Sequence, residues 1–153
     1  MNRKNASLGV AIILAVLLVT SNAFSEEFKI SSVGVGGYDV VAYHAQGKAL
    51  RGTGFHAALH EGVTYLFTSK NNRNKFLETP NRYLPEFGGY CAFGASVGKK
   101  IYADPTVWKI VDGKLYLNVD PKIQKRFERD LRGNLAKAYA NWPKIEDKTP
   151  EGV

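Results

Sequence analysis

The stretch from Trp108 to Asn118 leaves this chain the least conformational freedom. Two alternating runs, 108–111 and 114–118, are separated only by Asp112-Gly113, a dipeptide that readily takes the positive φ angles of a type I′ turn. The spacing therefore predicts a tight two-stranded hairpin. Asp120-Pro121 follows at once, an N-cap and a first helical residue whose missing N–H costs nothing there. Ile123, Phe127, Leu131, Leu135, Ala138 and Trp142 then recur at helical spacing, one apolar stripe on a long C-terminal helix that Pro143 stops. Gly133 lies within the stripe, costs about 1 kcal/mol relative to Ala, and marks a place for a kink or break.

The upstream chain reads in the same terms. Phe28 to Val33 suits a short strand, and Asp39 suits the cap of a one- or two-turn helix beginning at Val40. Phe55 to His60 alternates as a half-buried strand does, Glu61-Gly62 turns the chain, and Val63 to Thr68 returns. Ser69 caps a short helix that must end near Thr79, because Pro80 disfavours helix at the residue before it. Pro80 to Lys100 reads as an aromatic-bearing loop packed onto the domain. No internal repeat, linker or low-complexity block is legible. The expected core is Tyr65, Phe67, Phe76, Tyr83, Trp108, Leu115, Leu117, Ile123, Phe127 and Leu131. These elements specify a small single α+β domain with antiparallel β-hairpins, short helices and a long C-terminal helix over residues 26–143, followed by a polar tail over 144–153.

Residues 1–25 form a secretory signal peptide pattern: Arg3 and Lys4, an apolar run from Leu8 to Val19, then Ala23 and Ser25 ahead of a cut before Glu26. The run is too short to cross a bilayer as a helix, and no Cys follows it for lipidation. A periplasmic or secreted protein is expected, with no transmembrane segment in the mature chain. The sequence has 21 Lys and Arg against 14 Asp and Glu, a net charge of +7. Losing Arg3 and Lys4 with the leader leaves +5, and export removes nucleic acid as a partner. The basic residues Lys122, Lys125, Arg126, Arg129 and Arg132 read first as a solvated helix face.

One cysteine in 153 residues excludes an internal disulfide, a C-x-x-C redox pair and a cysteine-rich zinc finger. In an oxidising compartment a lone thiol is either hidden or used. Cys91 follows Gly88-Gly89-Tyr90, and three uses compete for it. It can be a buried small hydrophobe, a thiolate ligand for a soft metal such as copper or zinc, or a redox nucleophile. His44, His56 and His60 are the candidate co-ligands. His56 and His60 on one regular strand would lie about 13 Å apart, too far to share an ion. Asp39 and Asp104 read as caps or turn formers, and no serine-hydrolase, zinc-protease, P-loop or EF-hand motif occurs.

Taken in order, Gly37-Tyr38-Asp39-Val40-Val41-Ala42-Tyr43, Tyr65-Leu66-Phe67-Thr68-Ser69, Phe76, Pro80, Tyr83, Gly88-Gly89-Tyr90-Cys91-Ala92, Asp104-Pro105, Trp108, Gly113-Lys114-Leu115-Tyr116-Leu117-Asn118 and Trp142-Pro143 resemble the exported YHS-domain proteins, in the subgroup with a GGYCA motif. The resemblance spans about residues 36–143 and implies a small metal-binding module. The metal-handling versions carry a Cys in the strand segment where this chain has Thr68, and an early Cys pair that it lacks, so a two-cysteine site does not transfer. The resemblance does imply that the position of Cys91 is the characteristic thiol, one that some relatives fill with selenocysteine. The reading that results is a periplasmic soft-metal module, copper first, anchored by Cys91 with a His as second ligand. It would exchange its ion with a metal-handling partner. The alternatives are a thiol redox enzyme or sensor using the same sulfur with a redox partner, and a non-catalytic domain that docks an acidic partner.

Overall fold

The computed structural model describes residues 31–150; the expected leader, the first part of the expected strand from Phe28, and the last three residues lie outside the described residues. Strand β1 (Ser32–Val33), a 3-10 turn (Gly34–Gly37), α1 (Val40–Gln46), β2 (Thr53–His60), β3 (Val63–Phe67), α2 (Lys70–Glu78) and α3 (Pro80–Tyr83) form the first half. A second 3-10 turn (Glu86–Gly89), α4 (Ala92–Ser96), β4 (Asp104–Val111), β5 (Lys114–Asn118), α5 (Pro121–Arg129), α6 (Leu131–Asn141) and a last 3-10 turn (Trp142–Lys144) form the second. The strands make one three-stranded sheet, ordered β1-β3-β2, and one two-stranded sheet, β4-β5. Both hairpins are antiparallel. The α+β class is as the sequence predicts.

The two halves repeat one design, which the sequence reading misses. Val35, Gly36 and Gly37 have φ of 50°, 56° and 81°, and Phe87, Gly88 and Gly89 have 56°, 59° and 79°. This left-handed turn suits glycine at its last two positions. It costs about 1–2 kcal/mol at Val35 and Phe87, whose side chains are held in the core. A tyrosine and an N-cap residue follow each turn: Tyr38 and Asp39 before α1, Tyr90 and Cys91 before α4. The N–H of Asp39 meets the carbonyl of Leu50 at 2.8 Å and that of Cys91 meets Ile101 at 2.9 Å. Left-handed Gly47 and Gly98 end the two helices.

The hairpins match in detail. Glu61-Gly62 and Asp112-Gly113 turn with φ of 49° and 78°, and 49° and 76°. The register slips between Thr53 and Ala57 in one hairpin and between Asp104 and Trp108 in the other. A nine-residue helix leaves each hairpin, α2 capped by Ser69 and α5 by Asp120. Each then breaks at an extended residue, Thr79 (φ −145°, ψ 69°) or Asp130 (φ −136°, ψ 66°), before another helix starts.

That symmetry locates two departures from expectation. The C-terminal apolar stripe is divided at Asp130, one turn before Gly133, because the Asp130 carboxylate turns back to accept the Gly133 N–H at 3.0 Å. The longer piece is the C-terminal helix, α6 prolonged by the last 3-10 turn. The segment after Pro80, read as a loop, is instead α3, a 3-10 turn and α4. Helices of four and five residues are too short to show a periodicity.

Each half has its own core. Val40, Val41, Ala58, Phe67, Phe76 and Tyr83 pack in the first; Phe87, Ala92, Ala95, Tyr116, Phe127, Ala138 and Ile145 pack in the second. A third cluster, Tyr43 with Leu115 and Leu117, joins the halves. The Tyr43 hydroxyl donates to the Pro105 carbonyl at 2.7 Å, and its ring meets Trp108 edge-on at 5.2 Å. Ile145, within the expected polar tail, is 3% exposed, so packing continues past Pro143. Tyr65, Trp108, Ile123 and Leu131 line the rim, half buried, where the sequence placed them in the core.

Asp39 is the polar centre of the first half. One carboxylate oxygen accepts the N–H groups of Val41 (2.9 Å) and Ala42 (3.2 Å). The other accepts the Thr68 N–H (2.8 Å), the Thr68 hydroxyl (2.7 Å) and the Asn72 amide (2.8 Å). Asp39→Ala would leave five donors without their acceptor. It is expected to lower the unfolding free energy in urea by about 3–5 kcal/mol, and a loss below about 1 kcal/mol would show that the carboxylate does not hold this half together.

Candidate functional site

Cys91 stands where the first half has Asp39. The Gly88-Gly89 turn delivers it in extended conformation (φ −60°, ψ 117°) at the start of α4, and it bridges in parallel to Leu117 of β5. Its Sγ accepts the Gly94 N–H at 3.4 Å, as Asp39 accepts N–H groups from α1. The thiol in turn donates to Asn118 Oδ1 at 3.6 Å, and the same oxygen accepts the Phe93 N–H at 3.2 Å. Cys91 is 1% exposed and Asn118 is fully buried. Asn118 Nδ2 has no hydrogen-bond partner among the described residues.

The sulfur is pulled in two directions. Burial pushes its pKa up; the N–H groups of Gly94, Val119 and Phe93 oppose this, and the Asp120 carboxylate adds to the rise, leaving it above 9.0. At neutral pH it is a thiol. A cleft of about 540 Å³ runs between the halves, lined by residues that include Gly36, Tyr65, Gly88, Tyr90, Tyr102 and Leu117. Tyr90 and Leu117, the chain neighbour and the bridge partner of Cys91, form part of that lining.

All three histidines belong to the first half. His44 ends α1 with its ring edge-on to Tyr83 at 5.5 Å. Burial first, then the Arg82 cation, holds its pKa below 6.5. His60 ends β2 with its ring on Phe76 at 5.7 Å, and Nε2 is 4.0 Å from a Glu61 carboxylate oxygen. His56 is half buried in β2. The structure gives none of the three a hydrogen bond or ring contact with Cys91 or Asn118. Among the described residues, no three of His, Cys, Asp and Glu form a group that could hold a metal ion. The three candidate histidines thus stand apart from Cys91.

Asp104 shapes its turn as expected, accepting the N–H and hydroxyl of Thr106 at 2.8 and 2.7 Å. Asn118 is the site residue that sequence reasoning overlooks. Its signal is the repeat: it pairs with Asp104 across the register slip as Phe67 pairs with Thr53. A polar side chain therefore occupies a buried place that the first half gives to an aromatic ring.

No family model matches the chain, and no curated protein and no solved structure matches it either. Among the described residues, no helix is long and apolar enough to cross a membrane.

The pKa of Cys91 carries a sign that can be checked. A folded value above the unfolded 9.0 stabilises the fold fully below pH 9, and that contribution is lost as pH rises through the folded value. The urea midpoint is expected to fall between pH 8 and pH 10.5 by more in the wild type than in Cys91→Ser. Parallel declines in the two proteins would place the ionising groups elsewhere.

Proposed function

We propose that this chain is an exported YHS-domain module that holds a soft metal ion, Cu(I) first and zinc second, through the Cys91 sulfur. The observation carrying the proposal is that Cys91 occupies a built acceptor position. Its counterpart, Asp39, is a carboxylate met by five donors, whereas the Cys91 sulfur accepts the Gly94 N–H at a long 3.4 Å, has the Val119 and Phe93 N–H groups near it, and makes a weak S–H···O contact at 3.6 Å. A thiol is a weak cap there, since Ser, Thr, Asp and Asn serve that position better, so its presence is better explained by what sulfur binds. A raised pKa keeps it protonated and slow toward oxidants until a soft cation displaces the proton.

The described residues supply Cys91 without a histidine beside it. Cys91 is 1% exposed, so a partner that delivers or receives the ion supplies the remaining ligand only after the segment covering the sulfur opens. His44, His56 and His60 take structural roles in this reading. Coordination stabilises the thiolate and supplies the affinity; the chain supplies burial, which excludes water and competing hard ligands.

The N–H groups of Gly94, Val119 and Phe93 around the sulfur favour a second reading, a thiolate nucleophile. There the thiolate attacks hydrogen peroxide, the O–O bond breaks, and Cys91 becomes a sulfenate as water leaves; an external thiol partner returns it to the thiol.

An anaerobic Cu(I) titration against a chromogenic chelator, on the chain from Glu26 and on its Cys91→Ser variant, separates these readings. Metal binding predicts one ion per chain in the first protein and at least about a hundredfold weaker binding in the second. Equal binding in both would reject Cys91 as the anchor. No binding, with a peroxide-dependent mass gain of one oxygen, would transfer the site to the redox reading. No binding and no oxidation would leave Cys91 a packing residue.

A further inference from the structure

The exposed side of α5 carries Lys122, Lys125, Arg126 and Arg129, all exposed. Their spacings of three, one and three residues put them in one stripe of a helix with about 3.6 residues per turn. The described residues give none of these four cations a side-chain hydrogen bond or ion pair. The nearby carboxylates are already engaged. Glu128 pairs with Lys109 at 3.0 Å, Asp120 caps Ile123 at 2.7 Å and Asp130 caps Gly133 at 3.0 Å. Arg132, also exposed, adds a cation just past the break.

Folding explains only part of this stripe. Arg126 and Arg129 lie in the last turn, where the helix dipole favours cations. Lys122 and Lys125 lie in the first half of the helix, where the dipole favours acids, and the one acid at that end is the N-cap Asp120, whose carboxylate accepts the Ile123 N–H. Like charges three and four residues apart also repel. The stripe therefore carries a cost in the free protein that a negatively charged partner removes. Phe127 is fully buried and Ile123 half buried, so the helix offers charge without an apolar wedge. Four exposed cations on one helix face are the charge complement of an anionic lipid surface, where each Lys or Arg near the headgroups adds about 1 kcal/mol.

We propose that this face of α5 docks the protein, by charge alone, on a membrane bearing anionic lipid headgroups. The contact lies on a different element from Cys91 and does not depend on what the sulfur binds.

Sedimentation with vesicles tests it, using the chain from Glu26, which contains every described element and lacks the apolar leader run. Binding is expected to equimolar phosphatidylcholine and phosphatidylglycerol but not to phosphatidylcholine alone, and to vanish in high salt. Replacing two surface cations together, Lys122→Gln with Lys125→Gln, is expected to weaken binding about thirtyfold, with an unchanged unfolding midpoint as the check on the fold. Equal binding to both vesicles, or a double variant that binds like the wild type, would overturn the proposal. Binding to polyglutamate without binding to the anionic vesicles would also overturn it, and would assign the stripe to an acidic protein.

Discussion

A fully buried carboxylate at the start of α1 is the interaction on which the first half depends. Taking such a group out of water is costly unless donors surround it, and the five that surround Asp39 come from three different places. Val41 and Ala42 belong to the helix it caps, Thr68 follows the second strand of the hairpin, and Asn72 lies in α2. One side chain thereby fixes a helix against a hairpin and against the helix that leaves the hairpin. Thr68 serves Asp39 twice, with its N–H and its hydroxyl.

The second half repeats the geometry and changes the chemistry. The turn, the cap, the slipped hairpin and the nine-residue helix recur, but the cap is sulfur and its cross-strand neighbourhood holds Asn118. Fewer and weaker polar contacts meet it. Apolar packing compensates: Phe87 lies against Tyr116, Tyr139 and Trp142, and Ile145 joins the same cluster. The second half thus relies less on its cap, and a residue with poor capping ability can occupy that position for another purpose. The Tyr43 bond to Pro105 and the cluster of Tyr43, Leu115 and Leu117 then hold the halves in one body, with the cleft beside Tyr90 and Leu117 between them.

Legibility in the sequence followed the length of each signal. Asp112-Gly113 and Glu61-Gly62 gave both hairpins, and Asp39, Ser69 and Asp120 gave three caps that the structure bears out. The interruption that Gly133 signals falls three residues earlier, at Asp130, whose carboxylate caps the helix starting at Leu131 by accepting the Gly133 N–H. The repeat was hidden by unequal spacing. Tyr38 and Tyr90 are 52 residues apart while Gly62 and Gly113 are 51 apart, because the path from Tyr38 to the left-handed Gly47 is one residue longer than that from Tyr90 to Gly98. Little beyond Gly-Gly-Tyr and an acidic-Gly turn is shared in letters. The candidate site was half legible: a lone cysteine after two glycines stood out, but its separation from the histidines is a matter of tertiary placement. A strand spacing of four residues does show that His56 and His60 cannot share an ion.

The central claim is that the sulfur of Cys91 is present for what it binds rather than for what it holds together, and the unfolding free energy of Cys91→Ser tests that claim most directly. A serine hydroxyl can accept the Gly94 N–H and donate to Asn118 as the thiol does, and it is the better cap. The account predicts a change of less than about 1 kcal/mol in either direction at pH 7. A loss of about 3 kcal/mol or more would contradict it, because such a loss would make Cys91 a core residue whose volume and apolar character the second half requires.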